Sequence, residues 1–150
     1  MLNWKIIALQ ADDHESIQQT AALLVAGFRE YWPEAWPDLA SARQEIQDSL
    51  GEDRLSRIAV DDRGAVLGWI GGICQYDGKV WELHPLVVRA DCRGQGLGRA
   101  LVADLEAQAR GRGGLTLWLG TDDEAHMTSL GGVDLFPNVL EYAANIRNLR

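Results

Sequence analysis

Residues 80–119 constrain the fold more than any other part of the chain. A period-two run over 80–88 leads into a Gly/Arg loop over 89–96. A helical pattern over 97–110 follows, with Leu101, Leu105 and Ala109 on one face, then a break at Gly111-Arg112-Gly113-Gly114 and a short apolar run over 115–119. Strand, crossover helix and strand in that order predict a parallel pair, because a tight turn can join only antiparallel neighbours.

Upstream, the pattern predicts a strand over 2–9 and a helix opened by the Asp12-Asp13 pair. Ile17, Ala21, Leu24, Phe28 and Tyr31 recur along one face of that helix, and Trp32-Pro33 marks its stop. A second helix carries Leu39, Ala42, Ile46 and Leu50 inward, with Gly51 as its expected C-terminal cap. The period then becomes two: strands over 55–61, 65–75 and 80–88 are joined by turns at Asp62-Arg63-Gly64 and Asp77-Gly78, which makes an antiparallel meander. Residues 120–134 read as a polar loop, and Pro137 opens a last amphipathic helix with Val139, Ala143, Ile146 and Leu149 inward. The fold class is α/β (α+β), with a mixed, mostly antiparallel sheet flanked by helices.

The chain has 150 residues, of which 47% are hydrophobic, enough for one compact domain spanning 1–150. No apolar run has the length of a membrane span, and the start alternates like a strand instead of reading as a signal peptide, so a cytoplasmic protein is expected. Cys74 and Cys92 lack any spacing that suits a metal site or redox pair and are expected to be reduced; no metal is expected. Beside Arg93, Cys92 is read as a surface thiol of lowered pKa, and Cys74 as packed in the sheet. A net charge of -8 disfavours nucleic acid and anionic membrane as partners and suits a cationic substrate, although acidity of this size also simply keeps proteins soluble.

The loop Arg93-Gly94-Gln95-Gly96-Leu97-Gly98 lies between a strand and a helix, where backbone N–H groups and the helix N-terminus suit a pyrophosphate and Arg93 can neutralise its charge. It is neither a dinucleotide fingerprint, since Arg99 stands where the third glycine would, nor a P-loop. By itself it is equally a turn that starts a helix. In the strand before it, Glu82 and His84 are two residues apart and share a face, while Pro85 removes a ladder donor and invites a bulge.

Strand and loop together resemble the GNAT superfamily of acetyl-CoA-dependent N-acetyltransferases, whose pyrophosphate loop has the form Gln/Arg-x-x-Gly-x-Gly/Ala, matched by Arg93, Gly96 and Gly98. The run Trp81-Glu82-Leu83-His84-Pro85-Leu86-Val87-Val88 is similar to that of the aminoglycoside 6'-N-acetyltransferases. So are Trp32-Pro33-Glu34, Leu119-Gly120-Thr121-Asp122-Asp123 and Ile146-Arg147-Asn148-Leu149-Arg150.

The resemblance implies a GNAT fold with a splayed parallel pair, and acetyl-CoA as cosubstrate. Leu86, Val87 and Val88 would run along the pantetheine arm, and Arg93, Gly94, Gln95, Gly96, Leu97, Gly98 and Arg99 would hold the pyrophosphate. It implies acetyl transfer to a primary amine, the 6'-amine of an aminoglycoside, and hence antibiotic resistance. Another amine (a polyamine or a protein amino group) and a non-catalytic acyl-CoA-binding remnant are the alternatives.

Such a transfer needs a neutral amine. Glu82 is the candidate base or cation anchor, with His84 beside it, and the Leu86 N–H, left unpaired by a bulge, is the candidate donor to the thioester oxygen. Asp122 and Asp123, at the carboxyl end of a parallel strand, are candidates for holding ammonium groups or for capping a turn. Trp32 is a candidate for stacking on a sugar ring, with plain core as its default. Members of the subgroup continue beyond the position of Arg150 with a helix and two strands, which supply a tyrosine that protonates the leaving thiolate. The given sequence is therefore expected to be truncated relative to them; Tyr142 precedes that segment. An exposed edge at the last strand predicts a homodimer.

Overall fold

The computed structural model describes residues 2–121, 123 and 125–149, so Asp122 and Arg150 lie outside the described residues. Five strands form one sheet in sequence order: β1 (Trp4–Ala8), β2 (Arg54–Asp61), β3 (Val66–Gln75), β4 (Val80–Val88) and β5 (Thr116–Trp118). The pairings from β1 to β4 are antiparallel, and β4 pairs with β5 in parallel through Val80, Trp81 and Glu82. The meander and the parallel pair expected from the sequence are both present. The chain divides into two compact units, Met1–Leu119 and Gly120–Arg150.

In the first unit, α1 (His14–Phe28) and α2 (Leu39–Asp48) cover one face of the sheet and α3 (Leu97–Gly111) covers the other. Alternation along the strands makes two cores. Trp69, Val87, Ile58 and Val60 meet Leu24, Ala42 and Ile46 on one face, while Leu67, Ile70, Trp81 and Leu83 meet Leu97, Leu101 and Leu105 on the other. Helix α3 sits close because β3 carries glycine beneath it: a Cβ on Gly68 or Gly72 would come within 2.9 Å of Leu101 or 2.8 Å of Leu105. A two-pronged ion pair between Arg57 on β2 and Asp104 on α3, at 2.7 and 3.0 Å, fixes the helix along the sheet.

Helix α1 begins where the Asp13 carboxylate accepts the Ser16 N–H at 3.0 Å, and α2 where Asp38 accepts that of Ser41 at 2.8 Å. Three boundary expectations are corrected. Helix α1 ends at Phe28, because the ring of Pro33 needs the space over the Arg29 carbonyl; Tyr31 leaves the buried stripe and is 51% exposed. Helix α2 is closed by Ser49 in a right-handed conformation, and Gly51 does not adopt the left-handed cap expected of it. Leu39, at the first position of α2, is also exposed.

In the second unit, an isolated bridge joins Thr128 to Asn148, and α4 (Val139–Ala144) is a single short helix. The expected inward stripe does not form: Val139, Ala143, Ile146 and Leu149 are all exposed. Polar contacts hold this unit instead, including the Ser129 N–H to the Arg147 carbonyl at 2.9 Å. No helix among the described residues is long and apolar enough to cross a membrane.

Candidate active site

The centre of the site is a bulge in β4. Leu86 pairs with Ile70 and Leu83 with Gly72, so His84 and Pro85 together stand opposite Gly71 alone. Pro85 explains why: it has no N–H to give the ladder. The His84 carbonyl presses on Gly71 where any other residue would carry a Cβ.

Beyond the bulge the backbone directions follow from one hydrogen bond. The Arg89 N–H donates to the Leu67 carbonyl at 2.8 Å, and with Val88 opposite Gly68 and Val87 opposite Trp69, alternation makes Val87 the residue that exchanges bonds with β3. The backbone groups of Leu86 and Val88 therefore face the other edge of β4. Pairing with β5 stops at Glu82 opposite Trp118, so among the described residues no strand meets that edge.

This edge runs into an anion-shaped cradle. Val88, Cys92, Arg93, Gly94, Gly96, Leu97, Gly98 and Arg99 line a concavity of about 600 Å³ at the start of α3. Gly94 and Gly96 hold φ of 74° and 88°, and a Cβ on either would meet no atom within 4 Å, which leaves the space over the loop open to a ligand. Unlike α1 and α2, α3 has no side-chain cap; its first turn holds no acidic residue and carries Arg99. Uncapped N–H groups beside a cation are unfavourable in isolation and favourable to a phosphate, so the residues fit a pyrophosphate. Arg93 is pinned at the strand end by donating its Nε to the Val88 carbonyl at 3.1 Å. Cys92 corrects the sequence reading: it is 3% exposed, and burial, with Asp91 beside it, pushes its pKa up.

Glu82 and His84 share a face, as expected, and it is the one covered by α1 and α2. His84 Nε2 lies 3.6 Å from Glu45 Oε1 on α2, and its ring sits 5.9 Å from that of Trp36, which in turn packs edge-on against Phe28 at 4.8 Å. Glu82 accepts a hydrogen bond from Gln75 Nε2 at 3.1 Å, and Gln75 Oε1 accepts one from Trp118 Nε1, also at 3.1 Å. Glu45, Trp36, Gln75 and Trp118 were not expected from the sequence. A polar residue closing an otherwise apolar strand was the one available signal for Gln75, and the second Trp-Pro pair for Trp36. Trp32 is not core: it is 43% exposed, because its helix has already ended.

Asp123, in the second unit, caps its own turn. It accepts the N–H groups of Met127 and Thr128 at 2.8 and 2.9 Å and the Thr128 hydroxyl at 2.7 Å, and these bonds, the hydroxyl first, hold its carboxyl below the ordinary range.

The acetyltransferase (GNAT) family profile matches residues 21–131. The chain belongs to this family. Among solved structures, the GNAT domain is similar to an aminoglycoside 6'-N-acetyltransferase complexed with coenzyme A, with 34% identity, a TM-score of 0.85, and coverage of 97% of this chain and 77% of that one. An aminoglycoside 6'-N-acetyltransferase from Enterococcus faecium shows 34% identity, a TM-score of 0.83 and the same 97% and 77% coverage. An aminoglycoside 6'-acetyltransferase type Ii shows 36% identity and a TM-score of 0.69 over 79% of this chain and 72% of that one. A search of curated proteins found no match.

Proposed function

We propose that this GNAT protein transfers the acetyl group of acetyl-CoA to a primary amine, the 6'-amine of an aminoglycoside, by direct attack within a ternary complex. The observation that supports this most is the end of the β4–β5 ladder at Glu82, beyond which, among the described residues, no strand pairs with the edge that carries the Leu86 and Val88 N–H groups and runs to the uncapped start of α3. Likeness to aminoglycoside 6'-N-acetyltransferases over nearly the whole chain supports the choice of amine.

Acetyl-CoA supplies the activated thioester. The N–H groups at the start of α3 and the Arg93 and Arg99 guanidinium groups hold the pyrophosphate, and the Val88 edge, followed in space by Leu86, takes the pantetheine arm. The Leu86 N–H points at the thioester oxygen, where negative charge grows as the amine attacks. Glu82 anchors the ammonium group and takes one proton, the neutral amine forms the C–N bond at the thioester carbon, and the C–S bond then breaks, the second nitrogen proton passing through water to the departing coenzyme A thiolate. His84, held against Glu45 and Trp36, bounds the amine's side of the sheet, and the exposed face of Trp32 offers an apolar surface to a sugar ring. Free Cys74 and Cys92 suit a reducing cytoplasm. The edge of β5 is where a second copy would pair, and light scattering at the mass of two chains would support the homodimer.

The test follows thiol release from acetyl-CoA with an aminoglycoside carrying a 6'-amine and with the same scaffold carrying a 6'-hydroxyl. Release with the amine alone is the expected result. Release only with polyamines or protein amines would move the substrate elsewhere, and coenzyme binding with no release would make the protein an acyl-CoA binder. A raised growth-inhibitory concentration of the drug on expression would tie the reaction to resistance.

A further inference from the structure

The proposed base does not stand alone. Gln75 is the last residue of β3, Glu82 lies on β4, and Trp118 is the last residue of β5. Their side chains share the sheet face opposite α3 and form a line of two hydrogen bonds, Trp118 Nε1 to Gln75 Oε1 and Gln75 Nε2 to Glu82 Oε2, both 3.1 Å. The orientation of the Gln75 amide, often ambiguous, is settled from both ends. An indole nitrogen only donates and an ionised carboxylate only accepts, so the amide oxygen must face Trp118 and its NH₂ must face Glu82. The line spans three strands at the point where β5 leaves β4, since Glu82 and Trp118 are the last partners of that pairing.

We infer that Gln75 and Trp118 are positioning residues for Glu82, which hold one carboxylate oxygen, Oε2, on Gln75 and so present Oε1 to the substrate amine. This rests on the role proposed for Glu82 above. A free glutamate on a strand samples several rotamers, few of which place an oxygen within reach of one defined proton, and loss of that alignment costs turnover more than binding. Trp118 acts one step further away, by fixing the amide that fixes the carboxylate.

The experiment is a set of double-mutant cycles on amine-dependent thiol release. Gln75→Met keeps length and loses both hydrogen bonds; its kcat is expected to fall about tenfold, with KM for the amine changed much less. Trp118→Phe keeps an aromatic ring at an exposed position and loses only the N–H; it should fall in the same direction by a smaller factor. Combined with Gln75→Met it should cost nothing further, and Gln75→Met should have no effect in a Glu82→Gln background. Without any turnover, the indole resonance of Trp118, identified by its disappearance in Trp118→Phe, should shift in the nitrogen–proton spectrum of Gln75→Met. Independent, additive losses, or wild-type kcat in Gln75→Met beside an inactive Glu82→Gln, would overturn this inference alone. Wild-type turnover in Glu82→Gln would overturn the role of Glu82 and this inference with it.

Discussion

The carbonyl of His84 occupies the space into which a side chain on Gly71 would project, so the two strands at the centre of the site touch backbone to backbone. An alanine there cannot be accommodated by a side-chain rotation, since the obstacle is main chain and the Pro85 ring lies just behind it, at 3.3 Å. Gly71→Ala is expected to cost about 1–3 kcal/mol in urea unfolding. Acetyl transfer should fall further than that stability loss explains, because pushing the His84 carbonyl aside shifts the bulge from which the Leu86 N–H is aimed.

Gly96 poses the opposite case. Its φ of 88° is left-handed, but a Cβ would meet nothing within 4 Å. Gly96→Ala should therefore cost only about 1–2 kcal/mol of stability, from conformation alone. Its larger effect should be a raised KM for acetyl-CoA, measured at saturating amine, because the new methyl group points into the cradle.

Cys92 should resist thiol reagents in the folded protein. Burial and the neighbouring Asp91 disfavour its thiolate, whereas Cys74 is half-buried. Mass spectrometry after brief alkylation at neutral pH should find Cys74 labelled first, with Cys92 labelled only as urea unfolds the chain. Rapid labelling of Cys92 in the native protein would contradict the buried placement.

Asp13 should make the stability of the first unit depend on acid. The Ser16 N–H, followed by the Ser16 hydroxyl, holds its carboxyl below the usual value of 3.8. Its capping contribution is present in full above the unfolded value and is lost as pH falls through the lower folded one. Asp13→Ala is expected to cost about 1 kcal/mol at neutral pH, and the gap from the wild-type protein should narrow steadily below pH 3.8 in denaturant titrations.

The legible parts of this protein are those written as local patterns. Strand β4 occupies the residues expected of it, the parallel pair follows from chain order, and the loop glycines at 94 and 96 adopt positive φ because the turn into α3 demands it. Pro85 announced the bulge because a missing N–H is a property of one residue. Tyr31 and Trp32 were misplaced for a local reason too, the reach of the Pro33 ring back along α1.

What the sequence by itself determined, then, is periodicity, chain reversals and the anion-shaped loop, since each depends on residues near one another in the chain. Only the tertiary structure decided which side chains surround Glu82 and His84 on the α1/α2 side of the sheet. Gln75, Glu82 and Trp118 come together across three strands, and Glu45 and Trp36 reach His84 from α2 and from the segment between α1 and α2. Those meetings are set by strand register and by how the helices settle on the sheet, through the summed packing of two cores. The same packing buried Cys92, which its neighbour Arg93 had suggested as a surface thiol.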